Sequence, residues 1–79
     1  MTRDQLMAAI RAKYPNAFIK PGEDFSPNHK GSIWMTGEEP GDSPFNYYHG
    51  NLDGIDTWLE SHGWCAGWND PGTVFLYRI

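Results

Sequence analysis

Four Trp, four Tyr and four Phe have to be placed by a chain of only 79 residues. A domain this short holds one hydrophobic core, and that core leaves only ~3–5 kcal/mol of net stability. Each buried ring removes ~150–250 Å² from water, so a few rings replace many aliphatic side chains. The aromatic load therefore has two uses: filling the interior, for most of the rings, and anchoring a partner at the surface, for the rest. The whole chain, residues 1–79, reads as a single domain, and no enzyme signature motif occurs in it.

Punctuation along the chain defines the elements. Thr2 and Gln5 have capping-box spacing; Leu6, Ala9, Ile10, Lys13 and Tyr14 follow one helical face; and Pro15 excludes Tyr14 from helical geometry. Arg11 and Lys13 complement the dipole of the last turn, so residues 3–13 are expected to form a helix. "AFIK", "SIWMT" and "FNYYH" read as three short strands separated by Pro- and Gly-containing loops. A second helix follows, with Asn51 or Asp53 as its cap, Asp53 and Asp56 in its first turn and Gly63 at its end. Leu52, Ile55, Leu59 and His62 share a face of it, with Trp58 beside them. "WCAGW" and "TVFLYRI" flank the turn "NDPG" as a hairpin, with Val74, Leu76 and Arg78 on one face and Phe75, Tyr77 and Ile79 on the other. The expected order is αβββαββ, an α+β fold with an antiparallel sheet carrying two helices. Leu6, Ile10, Ile55, Leu59, Phe75 and Trp58 are the expected core.

His62-x-x-Cys65 is the stretch closest to a chemical site. A structural zinc site takes about four N or S ligands, and His29, His49, His62 and Cys65 match no zinc spacing. A catalytic cysteine needs a helix N-terminus or a cation beside it, whereas Cys65 follows a helix C-terminus. Packing is the reading for Cys65, with Trp64 and Trp68 on one face of its strand. Glu38 and Glu39 lie in a loop between Gly37 and Pro40, without the apolar surroundings that an acid catalyst requires. No catalytic residue, metal or cofactor is expected.

Charge is uneven. Residues 1–20 carry Arg3, Arg11, Lys13 and Lys20 against Asp4, a net +3, while residues 21–79 carry Lys30 and Arg78 against nine acids, a net −7. Phosphates are repelled by most of such a surface and basic proteins are attracted to it, so a protein partner is expected and direct nucleic-acid binding is not. The candidate partner-binding residues are Glu23, Asp24, Glu38, Glu39, Asp42 and Tyr48; in "GEEPGDSPFNYYHG" acids precede a tyrosine pair, a composition of interfaces and also of ordinary solvated loops. One cysteine excludes an intramolecular disulfide and fits a reducing compartment. The apolar run in "MTRDQLMAAIRAKY" is interrupted by Arg11 and Lys13, so neither a signal peptide nor a membrane span is expected and the chain reads as a soluble, cytoplasmic monomer.

As a whole, this acidic 79-residue domain, with its opening helix, short meander, "YYHGNLDGIDTWLESHGW" and hairpin end, resembles the small phage-encoded anti-CRISPR proteins, in particular those directed at type I-C systems. The resemblance implies an inhibitor in the host bacterial cytoplasm that binds a guide-RNA surveillance complex and keeps target DNA off it. Ten acids are too few to imitate a long duplex, so a local plug against one basic channel is the form this takes. A phage or plasmid accessory protein binding another basic host protein, and a small enzyme using Cys65 and His62, are the alternatives.

Overall fold

The capping box at Thr2 forms as expected: the Gln5 amide donates to Thr2 Oγ1 at 3.2 Å, and the Thr2 amide donates to Gln5 Oε1 at 3.0 Å. It opens helix α1, Arg3–Lys13, which buries Leu6, Met7 and Ile10. The computed structural model describes residues 1–38 and 42–79. Four strands follow the helix, β1 (Ile19–Pro21), β2 (Ile33–Met35), β3 (Trp64–Asp70) and β4 (Thr73–Arg78), with helix α2 (Ile55–Ser61) between β2 and β3. The sheet order is β1-β2-β4-β3, and every neighbouring pair is antiparallel. The fold is α+β, two helices on a four-stranded antiparallel sheet. No helix of the described residues is long and apolar enough to cross a membrane.

Register sorts the side chains into two layers. Ile33 and Ala66 flank Leu76, and Met35 and Trp68 flank Val74, so these residues share one face with Trp64. That face meets Leu6, Met7 and Ile10 of α1 and Ile55 and Leu59 of α2 in a single apolar cluster. Phe45 and Trp64 join it almost fully buried, and the Trp64 indole N–H donates to the Met1 carbonyl at 3.0 Å. The opposite face carries Trp34, Cys65, Phe75 and Tyr77. Two short 3-10 helices, Gly22–Asp24 and Pro27–His29, cover part of it. Phe25 packs edge-on against both Trp34 and Phe75 at 5.1 Å, and the His29 ring stacks flat on Phe75 at 3.7 Å.

Three expectations are corrected. Residues 45–49 form a turn instead of a third strand, so the order is αββαββ. Asn46 is the cause: its side-chain Oδ1 accepts from the amides of Tyr48 at 3.0 Å and His49 at 2.9 Å, offering the backbone a partner that a strand ladder would otherwise supply. Neither Asn51 nor Asp53 caps α2. Gly54, in the left-handed region at φ 63, occupies the cap position, while Asn51 donates to Asp56 at 2.9 Å and Asp53 accepts from the Tyr14 hydroxyl at 2.7 Å. Trp58 is only partly buried, because it lies on the flank of α2 with Lys13 Nζ 4.7 Å from its ring centre. Gly63 ends the helix as expected, at φ 83.

One ion pair ties the layers together. Arg3 of α1 donates to Glu23 of the first 3-10 helix and to the Ser32 carbonyl at 3.4 Å. Hydrogen bonding from Arg3, then from backbone N–H, holds the Glu23 carboxyl down to about 2. A carboxylate depressed in the folded state stabilises above its ordinary value of 4.5 and loses that contribution as pH falls towards about 2. Glu23→Gln is therefore expected to be less stable than the parent at neutral pH, with the two denaturation midpoints converging as the pH is lowered through that window. In the core, Leu59→Ala is expected to cost ~2–5 kcal/mol. Against a net stability of ~3–5 kcal/mol, thermal unfolding followed by circular dichroism should show a large unfolded fraction at 25 °C.

Candidate functional site

Gly37, at the exit of β2, organises the end of the molecule that carries the exposed aromatic rings. Its amide donates to the Gly72 carbonyl at 3.4 Å, and its own carbonyl accepts from the Tyr47 amide at 3.2 Å. A Cβ at this position would run into the six-membered ring of Trp68 and stand 3.0 Å from the Pro71 carbonyl oxygen, so the indole lies on the bare backbone. Three segments, the β2 exit, the 45–49 turn and the β3–β4 hairpin tip, therefore meet at a residue where any side chain would have to displace the indole.

Onto this hub the rings pack in sequence. Trp68 meets Phe45 at 6.5 Å and Tyr47 at 5.3 Å, and Tyr47 meets Tyr48 at 5.5 Å, each pair close to perpendicular as aromatic quadrupoles prefer. Phe45 is buried, but Tyr47, Tyr48 and Trp68 remain 51%, 67% and 38% exposed. Carboxylates lie on the same segments. Asp70 Oδ1 accepts from the Gly72 amide at 3.0 Å, and its Oδ2 accepts from Asn69 at 2.9 Å. These bonds, that from Asn69 foremost, hold the Asp70 carboxyl below the usual carboxylate range, so the hairpin tip is anionic. Glu38 lies beside it, its Oε2 and Asp70 Oδ1 each 3.5 Å from the point where a Gly72 Cβ would stand.

The six residues expected to bind a partner do not form one surface. Glu38 and Tyr48 belong to this patch, and Asp42 is exposed next to Ser43, whose hydroxyl fastens the same connection by donating to the Thr36 carbonyl at 3.0 Å. Glu39 lies outside the described residues. Glu23 and Asp24 sit on the 3-10 helix, and Glu23 is occupied by Arg3. Tyr47, Trp68 and Asp70 were absent from that expectation. The signals for them were Asn46, a turn former directly before two tyrosines, and the position of Trp68 at a strand end next to "NDPG".

His62 and Cys65 do not form a nucleophile–base pair. Cys65 is half-buried on the sheet face opposite Trp64 and Ala66, paired in register with Tyr77, and no hydrogen bond joins it to His62. The His62 ring packs against Trp58 of α2 at 4.9 Å. The core packing expected for Cys65 is not found: it is half-buried at the sheet surface and outside the apolar cluster. Among the described residues no group of three or more His, Cys, Asp or Glu side chains converges. A shallow groove of about 300 Å³, lined by His29, Lys30, Ser32 and Tyr77 among others, contains neither His62 nor Cys65 and is separate from the aromatic patch.

Among the described residues, every Lys and Arg side chain but Lys30 makes an intramolecular contact. Besides Arg3, Arg11 donates to the Ile19 carbonyl at 3.3 Å, Lys13 and Lys20 lie over Trp58 and Phe18, and Arg78 sits 5.5 Å from Trp64 and donates to the Met1 carbonyl. Glu38 and Asp42 face solvent instead. Comparison of the sequence with protein-family models and curated proteins, and of the fold with solved structures, finds no match. Gly37→Ala is expected to destabilise by ~1–3 kcal/mol through overpacking. Displacing the indole should also shift tryptophan emission to longer wavelength under conditions where circular dichroism shows the chain folded.

Proposed function

We propose that this chain is a non-catalytic binding protein whose acidic, aromatic hairpin end plugs a basic channel on a nucleic-acid-tracking protein assembly, as an anti-CRISPR inhibitor of a type I surveillance complex does. The observation that carries the reading is the set of exposed rings, Tyr47, Tyr48 and Trp68, gathered around Gly37 at the same end of the molecule as the hairpin tip with Glu38 and Asp70. An assembly that follows a phosphate backbone presents rows of Lys and Arg, and these attract a compact anion. Charge alone steers the encounter; rigid rings with polar tips supply the apolar area that holds it. The net charge of −4 and the exposed Glu38 and Asp42 supply the negative charge a basic partner would meet.

The test is a mobility-shift assay of target DNA with a purified type I surveillance complex. The protein is expected to abolish the DNA shift at low salt and to lose potency as salt rises, since exposed charges are screened within ~8 Å at physiological ionic strength. Replacing Glu38, Glu39 and Asp42 together with Lys is expected to weaken binding by about tenfold or more, equivalent to ~1.4 kcal/mol, chiefly through slower association. Stability should stay within ~0.5 kcal/mol per site. Lys30→Glu, at an exposed position away from the patch, should leave inhibition unchanged. An unaltered DNA shift at saturating protein would overturn the reading.

A further inference from the structure

We infer that the outer edge of β3 is a self-association surface. A second copy of this chain adds its own β3 there, antiparallel about a two-fold axis at Ala66, in place of the monomer expected from the sequence. β3 is the last strand of the sheet, and alternation shows which of its backbone groups face outward. Ile79 donates to the Gly63 carbonyl at 2.9 Å, and the pairs Cys65–Tyr77 and Gly67–Phe75 continue that hydrogen-bonded set. The amides and carbonyls of Trp64, Ala66 and Trp68 therefore point away from β4, and among the described residues no hydrogen bond reaches them. The β1 edge is treated differently. Gly22 donates to the Ser32 carbonyl at 2.8 Å, which by the same alternation turns Ile19 and Pro21 outward. Arg11 covers the Ile19 carbonyl at 3.3 Å, and Pro21 has no amide to offer. One edge of the sheet is blunted; the other is left as a template.

Two observations select a second copy as the occupant. Residues 64–68 read Trp-Cys-Ala-Gly-Trp, large at both ends and small between. An axis at Ala66 sets Trp64 against Trp68 of the second copy, Cys65 against Gly67 and Ala66 against itself, so rings meet rings and small residues meet small. The Trp–Trp and Ala–Ala pairs are the ones whose free amides and carbonyls face each other, and each pair exchanges two bonds. Moreover, no Lys, Arg, Asp or Glu lies between Gly63 and Asn69, so a chain of net charge −4 meets itself without a charge in the contact. The bulge between Trp68 and Asp70 ends the template before the first carboxylate.

Sedimentation equilibrium from the micromolar to the millimolar range is expected to show the parent rising to twice the mass of one chain. Association should tighten from low to physiological salt, because two chains of net charge −4 repel less when screened. Ala66→Pro removes an outward amide without touching the ladder to β4. It should weaken association at least tenfold and leave the circular dichroism spectrum unchanged. The axis puts the two Cys65 residues on one face, two residues apart along the strands and one strand spacing across, a separation of about 8 Å. A short bis-maleimide should therefore join them into a covalent dimer, with Cys65→Ser as the blank. If Ala66→Pro does not fold, this cross-link carries the test. A single-chain mass at every concentration, a dimer that folded Ala66→Pro leaves intact, or a dimer without the Cys65 cross-link would overturn the inference. Capture of a basic partner weakens as salt rises, whereas this association strengthens, so failure of one reading is distinguishable from failure of the other.

Discussion

Val74, Phe75 and Leu76 are consecutive on β4 and all fully buried, which a sheet with one wet face does not allow. The rest of the structure depends on satisfying that strand from both sides. On one side the two helices do so in the ordinary way, with Leu, Ile and Met. On the other a chain this short has no third helix to spend, and rings take its place: Phe25 and His29, held on two 3-10 turns, close over Phe75. Arg3 and Glu23 fasten that cover to α1, and Ser32 keeps it closed by donating to the His29 carbonyl at 2.6 Å. Part of the aromatic richness of the sequence is thus the material of a second layer.

Four further rings, Phe45, Tyr47, Tyr48 and Trp68, collect at the opposite end of β2, where it exits at Gly37. The same economy governs charge. A cation laid over an indole or donated to a strand-end carbonyl fixes a loop at little entropic cost, because its stem packs as well as its head. Carboxylates are shorter and less useful for this, and Glu38 and Asp42 are left outside. The acidity of the surface follows from the excess of acids, ten against six bases.

What could be read from the sequence was local. The Thr2–Gln5 cap, the stop at Tyr14–Pro15, the Gly63 terminus and the hairpin around Pro71-Gly72 each depend on residues within a few positions of one another, and each is found where expected. Phe75 is buried as expected, but on the face opposite the main cluster, and alternation does not mark it because Val74 and Leu76 are buried too. The turn at 45–49 was missed because strand propensity in Phe45, Tyr47 and Tyr48 was weighed without the competing side-chain acceptor of Asn46. The cap of α2 was missed because Asp53 is committed to Tyr14, a contact across the fold. Of the candidate surface, the acids and Tyr48 were visible from composition, whereas Trp68 and Asp70 join it only through Gly37, whose necessity arises from a ring far along the chain.

That dependence of the patch on Gly37 has a thermodynamic corollary. Its parts come from residues 37–38, 47–48 and 68–72, brought together by backbone bonds that exist only when β2, the 45–49 turn and the hairpin are all in place. A ligand seated there is bound by the folded chain and by no fragment of it. At a concentration 100-fold above its Kd it would add ~2.7 kcal/mol to folding. In a domain of this size that raises the margin against unfolding by roughly half or more, and transient unfolding is what exposes a small chain to proteases. Occupied molecules would outlive vacant ones, so the cellular abundance of the protein would follow that of whatever it holds.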